Sequence, residues 1–481
     1  MSSFEFPQPN DLPPLVVADD KTQARWEQQA HRRRRLDGTW RSDLVQAGIR
    51  TVGSERLRGW AEPSLARNVT ETILRELAVL YDAPARASHP DEGSGRFITE
   101  AWRQAALQPV HQRLQLYTLG IGSCYLRVRG FTPSTPGGLP RARFSVVPPD
   151  LIYDEPRTDG SGQPALVRHY SPRVVDGSTC WTADEWDLRD PAAPAYRLLH
   201  VDGQALRLLD EQAGDAYPYR DDEAQPVLPY VLYQDGVPRW GLHDPFHRTE
   251  LFAGGLDVAV FYWLLTHAFR DSSWPQRYAV GATLAGGESR AGAQPLAAHV
   301  MDPAVLAIFE TLPDFDGQPS IGQFQPGANV ESMSATLEDI AARLAVESGV
   351  SPTDLQRAAP NRSGLSIALT NEGKRRMQAR FSSSFRPADE RLARVTAAIL
   401  NSSGDGAPGL PTSGYRVSYA HIPLSASEQD ARRRHVLESI DAGLMSRLEG
   451  YLLLHPELTE ADALRDLAKI DAQPATRTTE G

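Results

Sequence analysis

The sequence predicts an α+β protein built from several parts. Helical periodicity fills residues 68–119 and returns from 244 to 400, and between them lies a strand-rich run, 123–235, punctuated by Asp-Gly turns. At 481 residues the chain is long enough for roughly three domains and for a core that needs no metal or disulfide staples.

Residues 1–20 are polar and proline-rich and are expected to form an arm. A helix is expected over 22–36, ending in His31-Arg32-Arg33-Arg34-Arg35. Cations suit a helix C-terminus, so the run is read as a solvated helix end, with contact to phosphate or an acidic neighbour as the alternative. Asn68-Val-Thr-Glu71 is a capping-box pattern, followed by Val69, Ile73, Leu77, Leu80 and Tyr81 at helical spacing and closed by Pro84. A further helix is expected from Thr99 to Leu119, bent or split at Pro109 and ended by Gly120 and Gly122.

Cys124–Arg129 and Phe144–Val147 read as strands. Asp159-Gly160 and Asp202-Gly203 are hairpin signals, because glycine tolerates positive φ. The second separates Tyr196–Val201 from Ala205–Leu209, which predicts a two-residue hairpin. After the apolar run Val227–Tyr233, Asp244-Pro245 reads as an N-cap and first helical residue, opening a long apolar helix to about Arg270. Residues 272–328 are rich in Gly, Ala and Pro and suit a small separate module. Met333, Leu337, Ile340 and Leu344 restore helical spacing, a polar loop follows, and a long helix is expected from Gly364 to Leu400 with a bend at Pro387. The strand Tyr415–Tyr419 precedes a helical C-terminal block with Ser427 and Thr459 as N-caps, and the last ten residues are expected to be disordered.

Charge and cysteine content bound the function. The chain carries 50 basic and 61 acidic residues, a net of −11, and only Lys21, Lys374 and Lys469 are lysines, so 47 are arginines. A net negative field argues against a protein that grips nucleic acid over its whole surface. Cys124 and Cys180 alone give neither a disulfide framework nor a cysteine zinc site. The N-terminus lacks a signal-peptide pattern, and a soluble, reducing-compartment protein is expected. Leu251–Phe269 is apolar enough to raise the question of a membrane span. Asp257, His267 and Gly254-Gly255 interrupt it, which favours a buried or oligomer-facing helix.

Three constellations could carry chemistry. His243, Asp244, His247 and Glu250 approach metal-ligand spacing, since His at i and i+4 share a helix face; a metal-dependent hydrolase using His243, Asp244 and His247 is one alternative. Gly373-Lys374 lacks the Walker A context: position 368 is Ala and Arg375 follows the lysine. Gly120-Ile-Gly122 follows a helix, the wrong order for a dinucleotide fold. No cofactor, metal or catalytic residue is expected.

The order of the pieces resembles the portal protein of tailed bacteriophages, the ring at one vertex of the head through which DNA passes. Asn68–Tyr81 is similar to the early portal helix, and Val146–Tyr153 running on to Leu166–Tyr170 resembles the wing strands. Glu347–Ser351 and Ser363–Ala368 resemble the borders of the tunnel loop. Tyr415–Pro423 looks like the strand before the crown, and Gly443–Ser446, His455–Ala461 and the helix to Ile470 like the crown itself.

The resemblance implies an arm at 1–20 and a wing from 21–243 and 365–424. It implies stem helices at 244–271 and 329–349 around a clip at 272–328. A tunnel loop at 350–364, a crown at 425–470 and a disordered tail at 471–481 complete the layout. Asp354, Gln356, Arg357, Asn361 and Arg362 become candidate DNA-facing loop residues, and Leu256, Val260, Trp263 and Leu264 candidate oligomer-facing stem residues. The family implies a twelve-membered ring in the virion, assembled in the host cytoplasm. Its partners are the large terminase, then head-completion or adaptor and tail proteins, with major capsid and scaffold protein around it. Double-stranded DNA is the cargo, no membrane is involved and nothing is hydrolysed. Another head–tail component, an adaptor or baseplate protein, is the nearer alternative. Acidity suits a conduit, since each phosphate neutralised by the wall adds affinity and hence drag.

Overall fold

The computed structural model describes residues 20–53, 67–131, 140–175, 178–202, 205–238, 241–273, 276–280, 282–284, 309–311, 320–324, 329–351, 364–402, 408–420, 426–455 and 460–472. It is a mixed helix-and-sheet protein. Helices α1 (Asp20–Leu36) and α2 (Arg41–Val52) come first, then α3 (Val69–Leu77). Asn68 caps α3: its side chain accepts from the Glu71 amide at 3.2 Å and donates to the Glu71 carboxylate at 3.1 Å. Leu80 and Tyr81 lie past the helix end and are buried with it.

After the short strand β1 (Arg86–Ser88), the single expected helix is two, α4 (Glu92–Gln104) and α5 (Leu107–Ile121). The break falls at Ala106, whose φ of 50° ends the first helix, rather than at Pro109. Pro109 sits in the first turn of α5, where its missing N–H would have had no helical partner. The start moves to Glu92 because Asp91 caps it, accepting from the Gly93 and Ser94 amides.

Eight strands follow: β2 (Ser123–Phe131), β3 (Arg141–Val147), β4 (Ile152–Pro156), β5 (Pro164–Val175), β6 (Ser178–Asp187), β7 (Ala195–Asp202), β8 (Ala205–Ala213) and β9 (Tyr230–Gln234). They form two antiparallel sheets, β3-β2-β9 and the meander β4-β5-β6-β7-β8. Asp202 pairs with Ala205, the register of the expected two-residue hairpin. Strand β2 is buried on both faces: Cys124, Leu126 and Val128 face one hydrophobic cluster and Tyr125 another, while Arg127 on the second face pairs with Asp184.

The second half begins with α6 (Thr249–Ser273). Strands β10 (Gln276–Val280) and β11 (Ala282–Leu284) pair antiparallel with β13 (Ser320–Phe324) and β12 (Phe309–Thr311) respectively. Then come α7 (Val330–Glu347), capped by Asn329, and α8 (Gly364–Asn401), which continues through Pro387. Strand β14 (Arg416–Ser418) returns to pair with β1. The chain finishes with α9 (Ala426–Asp441), α10 (Arg447–Leu454) and α11 (Glu460–Ala472). Ser427 falls inside α9 rather than capping it, while Ser446 forms the capping box of α10 with Glu449. Thr459 lies outside the described residues, and of the expected tail at 471–481 only Asp471 and Ala472 are described, as the end of α11.

The main core gathers α3, α4, α5 and the C-terminal half of α8 against β2 and β9. Leu392, Ala393, Ile399 and Leu400 are fully buried, so this end of α8 is surrounded by protein.

Candidate assembly surface

Helices α6 and α7 pack against each other as a pair, and α2 and α3 pack on α6. Helix α6 begins at Thr249, not at Pro245. Asp244 instead closes a tight turn, its carboxylate accepting from the Phe246 amide at 2.9 Å, and Arg248 at φ 45° prevents helical continuation. Arg248 is held there by Asp235 at 3.0 Å.

The base of α6 is gripped by the arginine run of α1. Arg32 donates to the carbonyls of Ile121 and Pro245 and to the Thr249 hydroxyl, at 3.1–3.3 Å. Arg35 donates to the Phe252 carbonyl at 2.9 Å, with its guanidinium over the Trp40 ring. Arg33 pairs with the buried Asp150 at 2.8 Å, and Arg34 makes a two-pronged contact with Asp43 at 2.9 and 3.0 Å. Arg32, Arg33 and Arg35 are all buried, so the expected solvated helix end is overturned. Burial lowers Arg32 and Arg35 to about 10, and both stay charged at neutral pH. Planar guanidiniums reach several carbonyls at once, a task an ammonium performs poorly.

Two glycines let neighbours close on α6. Gly254 meets Leu344 of α7, where an added Cβ would lie 2.9 Å from Cδ2, and Gly255 meets the Thr70 hydroxyl of α3. Because residue 254 is near the start of α6 and 344 near the end of α7, the two helices run antiparallel. Gly255→Val should therefore force α3 and α6 apart, costing about 1–3 kcal/mol, read as a lower urea midpoint; Gly373→Val, which meets nothing, should cost less.

One flank of α6 is covered by the chain itself. Trp40, Leu44 and Ala47 of α1–α2 pack on Ala259, Val260 and Trp263, with Leu256 and Leu264 half-buried beside them. Val260 and Trp263 are thus already buried within the single chain, which the apolar run alone could not reveal. Among the described residues, the large apolar side chains that the pair exposes are Phe261 and Phe269 on α6 and Met333, Ile340 and Val346 on α7. The C-terminal helices expose Leu437, Leu444, Leu453, Leu464 and Ile470 as well, Leu444 to 83%. Helix α6 is long and apolar enough to cross a membrane by length and composition, and half of its most apolar window is buried inside the chain.

The other sequence candidates are dispersed. His243 lies between the Ser123 hydroxyl and Asp154, 2.6 Å from each. Against the cost of burial, His243 and Arg25 hold Asp154 well below the usual carboxylate range. His247 instead meets the Leu119 carbonyl at 2.9 Å and approaches Asp235. The hydrolase constellation is therefore not assembled, and among the described residues no group of three His, Cys, Asp or Glu could hold a metal. Asp354, Gln356, Arg357, Asn361 and Arg362 lie outside the described residues.

No protein-family profile and no curated protein matches the chain. Among solved structures it is similar to a chain in the virion of a native gene transfer agent particle, at 15% identity and a TM-score of 0.38, over 86% of this chain and 93% of that one. It is similar also to a chain of the neck of an empty gene transfer agent particle computed with C6 symmetry, at 15% identity and TM-score 0.40, with the same coverages. A chain from the neck of the native particle computed with C12 symmetry gives 15% and 0.41, over 80% of this chain and 89% of that one. The superposition is loose at these scores.

Proposed function

We propose that the chain is a phage-type portal protein: a ring subunit forming the conduit for DNA at one vertex of a head. The observation that carries this reading is the helical hairpin of α6 and α7. It leaves an α/β body, bears two small paired-strand sheets at its far end, and exposes apolar side chains along both helices. Exposed apolar surface of this kind is what a ring of copies would cover. In support, Asn68–Tyr81 carries α3, Val146–Tyr153 and Leu166–Tyr170 run into β4 and β5, and the described part of Tyr415–Pro423 carries β14.

In this reading α6 and α7 are the stem, the strands β10–β13 belong to the clip, and 350–364 forms the tunnel loop. The three C-terminal helices form the crown. Leu256 and Leu264 remain candidates for contact with a neighbour, joined by Phe261 and Phe269. The clip would dock a terminase motor and later head-completion, adaptor or tail proteins, with capsid and scaffold protein at the wing. The chain itself would perform no catalytic step. Electron microscopy of the purified full-length chain in negative stain should show rings of twelve or thirteen subunits. A stable monomer or dimer in every condition tested would overturn the proposal.

A further inference from the structure

Away from the helix pair, the main core encloses a polar cluster centred on Asp389 of α8, which is fully buried. Tyr81 and Tyr419 donate to its Oδ2 at 2.8 and 2.6 Å, and Tyr233 donates to Oδ1 at 2.7 Å. His111 of α5, also buried, stacks on Tyr81 with ring centroids 4.3 Å apart. Its Nε2 lies 3.6 Å from Oδ1 and has no hydrogen-bond partner. Helix α5, strand β9 and the segments following α3 and β14 thus all converge on one carboxyl group of the long helix. Among the described residues no arginine or lysine pairs with it; Arg391 acts on Tyr233 and Arg386 on Tyr419 instead.

A buried histidine with no acidic compensation makes a fold acid-labile, because the unfolded chain takes up a proton that the folded one refuses. A buried carboxyl with no basic partner does the reverse. Here the two stand side by side, and a hydrogen on Oδ1 would give Nε2 the donor it lacks. We propose that Asp389 and His111 form a proton-balanced pair that keeps the seating of α8 insensitive to acid. On folding, the proton held by the imidazole in the open chain moves to the carboxyl, so little net proton is taken up or released.

The sign follows from the two environments. Burial pushes Asp389 up from 3.8 to about 6 despite three hydroxyl donors, so its contribution grows as pH falls through 6 and is lost as pH rises. Burial pushes His111 down from 6.5 to about 3, so its contribution is present above 6.5 and is lost as pH falls below that. Between about pH 4 and 6 the two slopes oppose each other.

The test is amide hydrogen exchange along 388–400 in the full-length chain at pH 7 and 5, corrected for intrinsic rates, in wild type, His111→Gln and Asp389→Asn. From pH 7 to 5, His111→Gln should gain protection relative to wild type by about 10- to 30-fold, as the carboxyl acts alone. Asp389→Asn should lose about 10-fold relative to wild type over the same interval. Single variants whose pH dependence runs parallel to wild type would overturn the pairing. Should Asp389→Asn fail to fold, the His111→Gln arm decides alone, because its gain has no origin other than removal of an opposing proton.

Discussion

Arg33→Ala lowers the stability of the fold by about 3–5 kcal/mol, because it strands Asp150 without its counter-charge in a site closed to water. Asp150 is fully buried, and burial already pushes its carboxyl above the usual range while Arg33 opposes that shift. Removing the guanidinium removes the opposition, so the variant must neutralise Asp150 at neutral pH. A carboxyl raised in the folded state contributes most at low pH and loses that contribution as pH rises. The penalty of Arg33→Ala should therefore shrink as pH falls toward the carboxylate range, whereas a packing defect would show no such trend. The double variant Arg33→Met with Asp150→Leu should recover most of the loss, since two apolar side chains need no mutual charge. Urea unfolding across pH 5 to 8 checks all three outcomes. Equal losses for the single and double variants would show that shape rather than charge holds the contact.

Phe385→Ala should cost about 3–5 kcal/mol by opening a cavity where the aromatic core meets α8. The ring is fully buried, with Tyr81, Tyr233 and Phe381 centroids 5.8–6.5 Å away. Two of those neighbours are donors to Asp389, so the cavity also loosens the rings that hold its carboxylate. Phe385→Leu keeps most of the volume and should cost markedly less. Thermal unfolding followed by tyrosine absorbance reports both effects. A loss below about 1 kcal/mol for the alanine variant would mean that the surrounding rings close the gap.

How far the sequence could be read depends on whether a signal is local. The cap at Asn68, the register of Asp202 and Ala205, and the extents of α7 and α8 are set by side chains within a few residues, and they are found where expected. Asp244-Pro245 misled because its cap geometry is satisfied by a single turn, and the contact that ends that turn involves Asp235, thirteen positions away in sequence by the Arg248 bond. The arginine run was illegible for the same reason. Its partners are Asp43, Asp150 and carbonyls near 121, 245 and 252, and nothing in four adjacent arginines announces which distant groups they meet. The Asp389 cluster draws on residues 81, 111, 233, 389 and 419, each unremarkable in its own neighbourhood.

The grip on the base of α6 has a mechanical meaning. Arg32, Arg35 and Thr70 fix the carbonyls at 245, 251 and 252, and α2 braces the helix as far as Trp263 and Leu264. Beyond that point among the described residues, the helix extends toward the paired strands without that bracing. It is a cantilever with a riveted root and a loaded tip. A push on the strands should flex the outer third of the beam and leave the root still.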